Sequence, residues 1–203
     1  MNILILGGKQ AFGPGLPPGR GYVAQLVRRV RAQGQTIAVD HHPVSLAEAI
    51  ALIPRLRLER YDLILLQFDQ VPLPLPVMAP ARLALRLKLR LGGSRLAVWQ
   101  PVRQQLATVL TQLRAYRHRV VLLGPLPHRQ PLENQLAQLA RRVVYAPLCH
   151  DCQVFLFDVS QHLTGSEAEF QSNSTNQLSA VAHEVLGSEL HTFITEPTYT
   201  LWL

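Results

Sequence analysis

Residues 1–35, MNILILGGKQAFGPGLPPGRGYVAQLVRRVRAQGQ, change character twice. Within residues 2–6, positions 3–6 are uniformly apolar, which suits a strand buried on both faces. The chain then breaks into glycines and prolines. From Tyr22 the apolar residues Val23, Leu26, Val27 and Val30 recur at helical spacing, with Arg28, Arg29 and Arg31 on the other face and Gly34 as the stop. A buried strand, a glycine-rich turn and an amphipathic helix form the opening of a parallel α/β unit.

The rest of the sequence repeats that alternation. Residues 35–39 (QTIAV) predict a second strand, and Ser45 with Glu48 forms a capping box that opens a helix reaching about Leu56. DLILLQF (62–68) predicts the third strand. A helix with Val102, Leu106, Val109, Leu110 and Leu113 on one face follows, then a fourth strand at 120–124 (VVLLG). Leu132, Leu136, Leu139, Ala140 and Val143 line the next helix, and VFLFDV (154–159) predicts the fifth strand. A last helix from near Thr175 is expected to bury Leu178, Val181, Ala182, Val185 and Leu186 and to stop at Gly187. Uniformly apolar strands separated by helices require a parallel sheet covered on both faces, because right-handed crossovers place helices there. The expected class is α/β, a three-layer α/β/α sandwich around a doubly wound, flavodoxin-like five-stranded sheet. All 203 residues are read as one domain without internal repeats.

Two segments depart from the pattern. Residues 71–80 (VPLPLPVMAP) carry too many prolines for a helix or a central strand, and residues 81–93 (ARLALRLKLRLGG) alternate leucine with Arg86, Lys88 and Arg90. Together they read as a Pro-rich and basic insertion over about 71–98, either an exposed ribbon or a short amphipathic helix. Residues 188–203 are expected to form an extended tail, with Trp202 as an anchor.

Composition narrows the function classes. With 48% apolar and 16% charged residues the chain is a folded globular protein. The absence of a basic leader and of a long apolar run predicts a cytoplasmic protein without a membrane span. The formal net charge of +7 is uneven: residues 1–132 hold 18 Lys and Arg against five Asp and Glu, and the remainder holds two against eight. Eighteen of the 20 cations are arginines scattered over several helix faces, with no reading motif or aromatic platform, so the charge alone does not call for nucleic acid. Were the basic segment around 82–95 an interaction site, it would bind polyanions with a steep salt dependence.

In a doubly wound sheet a ligand lies outside the carboxyl ends of the strands. The relevant turns are GGKQAFG after the first strand, DHHPVS after the second, FDQV after the third, and EFQSNSTNQL before the last helix. These blocks resemble the SGNH hydrolases, also called GDSL esterases and lipases. The first block of that family is a Gly-Asp-Ser-Leu-Thr-x-Gly turn followed by Gly-Leu-Pro-Pro-Gly and a helix, and Gly7, Phe12, Gly13 and residues 15–19 keep its frame. YDLILLQF resembles the third-strand block that runs on into Gly-x-Asn-Asp, and STNQLSAVAHEVL resembles the closing helix that follows Asp-x-x-His. The similarity extends over about residues 1–187.

The resemblance implies a serine nucleophile, a histidine base, an orienting aspartate and an oxyanion hole. At the matching positions the serine falls on Lys9 and the preceding aspartate on Gly8. The histidine falls on Ser174 and its aspartate on Gln171, while the third-block glycine and asparagine fall on Asp69 and Gln70. The second-block glycine has no counterpart in DHHPVS. Loss of one triad member costs about six decades of turnover in the best-studied case, and here all three are replaced. A lysine ammonium has no lone pair for attack, and its neutral amine would trap an acyl group as a stable amide. The sequence therefore points away from catalysis and toward a pseudoenzyme whose cleft takes a small anionic or acyl-bearing ligand or supports a protein partner. Gly8, Lys9, Asp40, Asp69, Gln70 and Asn173 are the ligand-binding candidates.

The competing expectation is a divergent ester or acetyl hydrolase using Ser45 or Ser174 with His41 or His42. Against it, Ser45 is explained by helix capping, and adjacent histidines point in different directions. Cys149-His150-Asp151-Cys152 has Cys-x-x-Cys spacing but lacks a second ligand pair and enters the fifth strand from its amino end, opposite the cleft. Those cysteines read as unreactive, and no metal or cofactor is expected. His183 reads as an ordinary helix-surface or packing residue. Lys9 either fills a disused pocket or, beside backbone amides and a helix N-terminus, holds a carboxylate or phosphate.

Overall fold

Each apolar run forms a strand where it finds a parallel neighbour. The computed structural model describes residues 1–68, 99–128, 130–163 and 177–195. The insertion at 71–98, Trp202 and the candidates Asp69, Gln70, Gln171, Asn173 and Ser174 lie outside them. Strands β1 (Asn2–Gly7), β2 (Ala38–His42), β3 (Leu63–Gln67), β4 (Val120–Leu123) and β5 (Phe155–Phe157) pair in parallel in the order β2-β1-β3-β4-β5. This is the doubly wound flavodoxin-like order, with its switch point between β1 and β3. The expected fold class is the observed one.

Alternation along β1 separates two cores. Ile3 and Ile5 pack with α1 (Tyr22–Ala32) on one side, and Leu4 and Leu6 pack with α2 (Leu46–Leu52) and α3 (Trp99–Gln112) on the other. The second side also holds α4 (Pro131–Ala140), which continues through a π turn at Arg141–Tyr145 into α5 (Ala146–Cys152). A short helix α6 (Val159–His162) follows β5, and the final helix α7 (Ala180–Thr195) lies beside α1. The capping box is present: the Ser45 hydroxyl accepts from the Glu48 amide at 3.3 Å, and Glu48 accepts from the Ser45 amide at 2.7 Å. The helix it opens ends at Leu52 and tightens into a 3₁₀ turn at Ile53–Arg55, where Pro54 withholds an amide donor.

Three expectations are corrected. The second strand lies three residues later than 35–39, because its ladder runs from Asn2 opposite Ala38 to Leu6 opposite His42. As an edge strand it has no strand on its outer side among the described residues, so polar Asp40, His41 and His42 are tolerated in it. Second, the last helix does not stop at Gly187, and residues 188–195 are helical rather than extended. Gly187 lies where α7 meets α1: a Cβ there would sit 2.4 Å from Gln25 Cβ and 2.8 Å from the Tyr22 carbonyl oxygen. Glycine serves close helix approach here, so the helix passes through it. Third, the buried stripe of α7 is Ala182, His183, Leu186, Gly187, Leu190 and Ile194, whereas Val181 is 56% exposed. The close contact at Gly187 rotates His183 inward and Val181 outward.

Candidate functional site

The turn after β1 is shaped by its glycines. Gly7 pairs with Gln67 at φ +135°, and a Cβ on it would fall 1.5 Å from the Gln67 carbonyl oxygen, so only glycine lets the two strand ends meet. That same oxygen accepts from the Gly8 amide at 2.7 Å. The chain then enters a 3₁₀ turn, Lys9–Phe12, closed by the Gly13 amide on the Gln10 carbonyl at 3.1 Å. Lys9 is exposed on this turn, at the carboxyl end of β1, and no described residue pairs with its amine.

Behind the turn lies a buried polar chain. The Tyr22 hydroxyl donates to Gln67 Oε1, and the Tyr22 amide, in the first turn of α1, donates to His183 Nδ1 at 3.2 Å. Gln67 is 1% exposed and His183 is fully buried. Burial pushes the His183 imidazole down to about 4, so the ring is neutral and its Nδ1 is free to accept. The sequence reading missed this chain. The signal available was Gln67 itself, a polar residue in an otherwise apolar strand, which must find a partner when buried.

The second-strand candidates separate onto two faces. His41 stands opposite Ile5 on the α1 side, with its ring 4.4 Å from that of Phe12. Burial moves its pKa below the ordinary value, against an opposing pull from the Gly7 and Gly8 backbone. Asp40 lies on the other face, where it accepts from the Tyr61 hydroxyl at 2.6 Å and from Arg60 Nη2 at 2.5 Å. The Tyr61 hydrogen bond, then the Arg60 charge, hold its carboxyl below the usual range. Ser45 is hydrogen-bonded to Glu48, and neither His41 nor His42 bonds to it.

Other polar groups near the strand ends are paired locally. Asp158, following β5, caps α6 through the Ser160 amide and hydroxyl at 3.2 and 2.7 Å and pairs with Arg141. His128 faces Glu133 at 3.4 Å, and His162 faces Glu189 at 3.1 Å. Cys149 and Cys152 end α5 immediately before β5, at the amino end of the sheet, and both are free. Burial pushes the Cys149 thiol up to about 12. No three His, Cys, Asp or Glu side chains are grouped as a metal ion requires among the described residues. No described helix is long and apolar enough to cross a membrane.

No protein-family model and no curated protein matches the sequence. Among solved structures, TesA superposes with a TM-score of 0.65 at 20% identity over 100% of both chains. The family 3 carbohydrate esterase of Clostridium thermocellum gives 0.64 at 13% identity, covering 100% of this chain and 99% of that one. The lipase/acylhydrolase of Enterococcus faecalis gives 0.63 at 15% identity, covering 96% and 95%. Coverage of this extent leaves no major part of the architecture unmatched, and at these identities the likeness is one of fold. With its five parallel strands in the order 2-1-3-4-5 and its glycine turn after the first of them, the chain has the fold of the SGNH, or G-D-S-L, hydrolases.

Proposed function

We propose that this protein is a non-hydrolytic member of the SGNH fold that holds a small anionic or acyl-bearing ligand at the turn after β1. The observation that carries the reading is Lys9: an amine without a described partner, exposed on the turn where the resemblance places a serine. An ammonium at a strand tip attracts a carboxylate or phosphate, and it cannot open an ester. The engagement of Ser45 in a capping box supports the same reading, since a hydroxyl hydrogen-bonded to a carboxylate with no histidine on it lacks the base it would need.

The test pairs an activity measurement with a binding measurement on purified protein. Hydrolysis of p-nitrophenyl acetate and labelling by a fluorophosphonate are expected to stay at the level of the buffer control. Phosphate or acetate binding, followed by calorimetry, is expected in the wild type and weakened in Lys9→Gln. Turnover abolished by Ser45→Ala, or fluorophosphonate on any serine, would overturn the loss of hydrolysis; unchanged anion binding in Lys9→Gln would overturn the role of Lys9.

A further inference from the structure

A groove of about 470 Å³ runs between α1 and the edge strand β2, on the flank of the sheet. No described strand continues beyond β2, so the outer side of α1 overhangs a surface that no described strand covers. The lining is apolar along its length, with Phe12 at the end nearest the β1 turn and Val27, Ile37 and Val39 below it, and it carries two cations, Arg28 and Arg31. Neither cation meets an acid among the described residues: Arg28 donates only to the neutral Gln25 side chain at 3.2 Å, and Arg31 has no described partner. The acid of β2, Asp40, is occupied by Tyr61 and Arg60 on the opposite face of the sheet.

An apolar channel with unneutralised guanidinium groups at one end is complementary to a molecule with an apolar body and one negative head. We propose that this groove binds a monomeric amphiphilic anion, an unbranched aliphatic chain bearing a single acidic headgroup. The head lies against Arg28 and Arg31, and the chain runs along Val27 and Val39 toward Phe12. The stretch of α1 from Val23 to Arg31 covers about 12 Å at roughly 1.5 Å per residue, which suits a chain of medium length. The volume falls within the range of roughly 300–1,000 Å³ common to small-molecule sites. A single dissolved molecule fits better than a bilayer, because the surface is concave and Phe12 is the one large apolar side chain strongly exposed near it among the described residues. The inference stands apart from the strand-tip reading, since Lys9 does not line the groove.

The test is calorimetry of the full chain with octyl, decyl and dodecyl phosphate, each below its micellar concentration, and with decanol. Saturable binding at one chain-length-dependent site per chain is expected, tightening by up to about fourfold per methylene buried until the groove is filled. Decanol is expected to bind more weakly than decyl phosphate. The double variant Arg28→Gln/Arg31→Gln should weaken decyl phosphate about threefold to tenfold while leaving decanol unchanged. Lys9→Gln should leave decanol binding and the gain in affinity per methylene unchanged, while losing only the chain-independent phosphate binding at the turn after β1, which separates the two sites. Ala24→Leu, placing a larger side chain into the groove, should weaken every member of the series. The arginine variant, altering only exposed side chains, keeps the test decisive if Ala24→Leu fails to fold. Equal affinity for decanol and decyl phosphate, loss of the chain-length-dependent binding in Lys9→Gln, absence of saturable binding, or a dimer in sedimentation that Ala24→Leu dissociates would each overturn the proposal.

Discussion

The buried imidazole of His183 makes stability depend on pH in a way that can be isolated. In the folded chain its pKa is about 4, and the ordinary value is 6.5. Fewer protons are therefore bound by the folded state than by the unfolded state between those values. The contribution of the neutral ring is complete above pH 6.5, declines as pH falls toward 4, and is lost below that. A difference of about 2.5 units at about 1.4 kcal/mol each amounts to roughly 3 kcal/mol, a large part of a typical folding free energy of about 5–15 kcal/mol. The physical cause is that a protonated ring would place a buried positive charge beside the N-terminus of α1 and would turn the acceptor of the Tyr22 amide into a donor. Urea unfolding should be followed from about pH 7.5 down to about pH 4 in the wild type and in His183→Gln, whose side-chain oxygen can accept the same amide without titrating. His41, His118, His128 and His191 are also shifted downward, chiefly by burial, and add slopes of the same sign. Only the difference between the two proteins reports His183. That difference is expected to shrink by roughly 3 kcal/mol across the acid window. Parallel stability curves, or an NMR titration of His183 with a midpoint near 6.5, would refute the reasoning.

Gly187→Ala should lower stability by about 1–3 kcal/mol in thermal or urea unfolding, because its Cβ meets Gln25 Cβ and the Tyr22 carbonyl while the gain in helix propensity is only about 1 kcal/mol; an unchanged or raised midpoint would contradict the close packing of α1 and α7. Cys149 should resist a disulfide reagent at about pH 8, where a pKa near 12 leaves about one thiol in ten thousand ionised, yet react at once in urea. Rapid labelling of Cys149 in the folded protein would show that its burial is wrong.

The legible part of this fold lies in periodicity. Uniform apolar runs such as residues 3–6, 63–66 and 120–123 mark strands that need partners on both edges and helices on both faces, and the glycines after Leu6 mark the turn at the carboxyl end of the first of them. The capping box at Ser45 was legible too, since its partners lie three residues apart. The class, the number of strands, the resemblance and the position of Lys9 follow from such local signals. The register of β2 does not, because a short edge strand has no apolar signature of its own and is aligned by the ladder that β1 offers. Nor does the inward turn of His183, whose partner Tyr22 is 161 residues away in the chain and whose orientation is set by the contact at Gly187. The chain of His183, Tyr22 and Gln67 and the groove beside β2 are products of packing between distant segments. Local sequence specifies which residues can be buried, and only the meeting of helices and strands specifies which face each presents and which polar groups come within bonding distance.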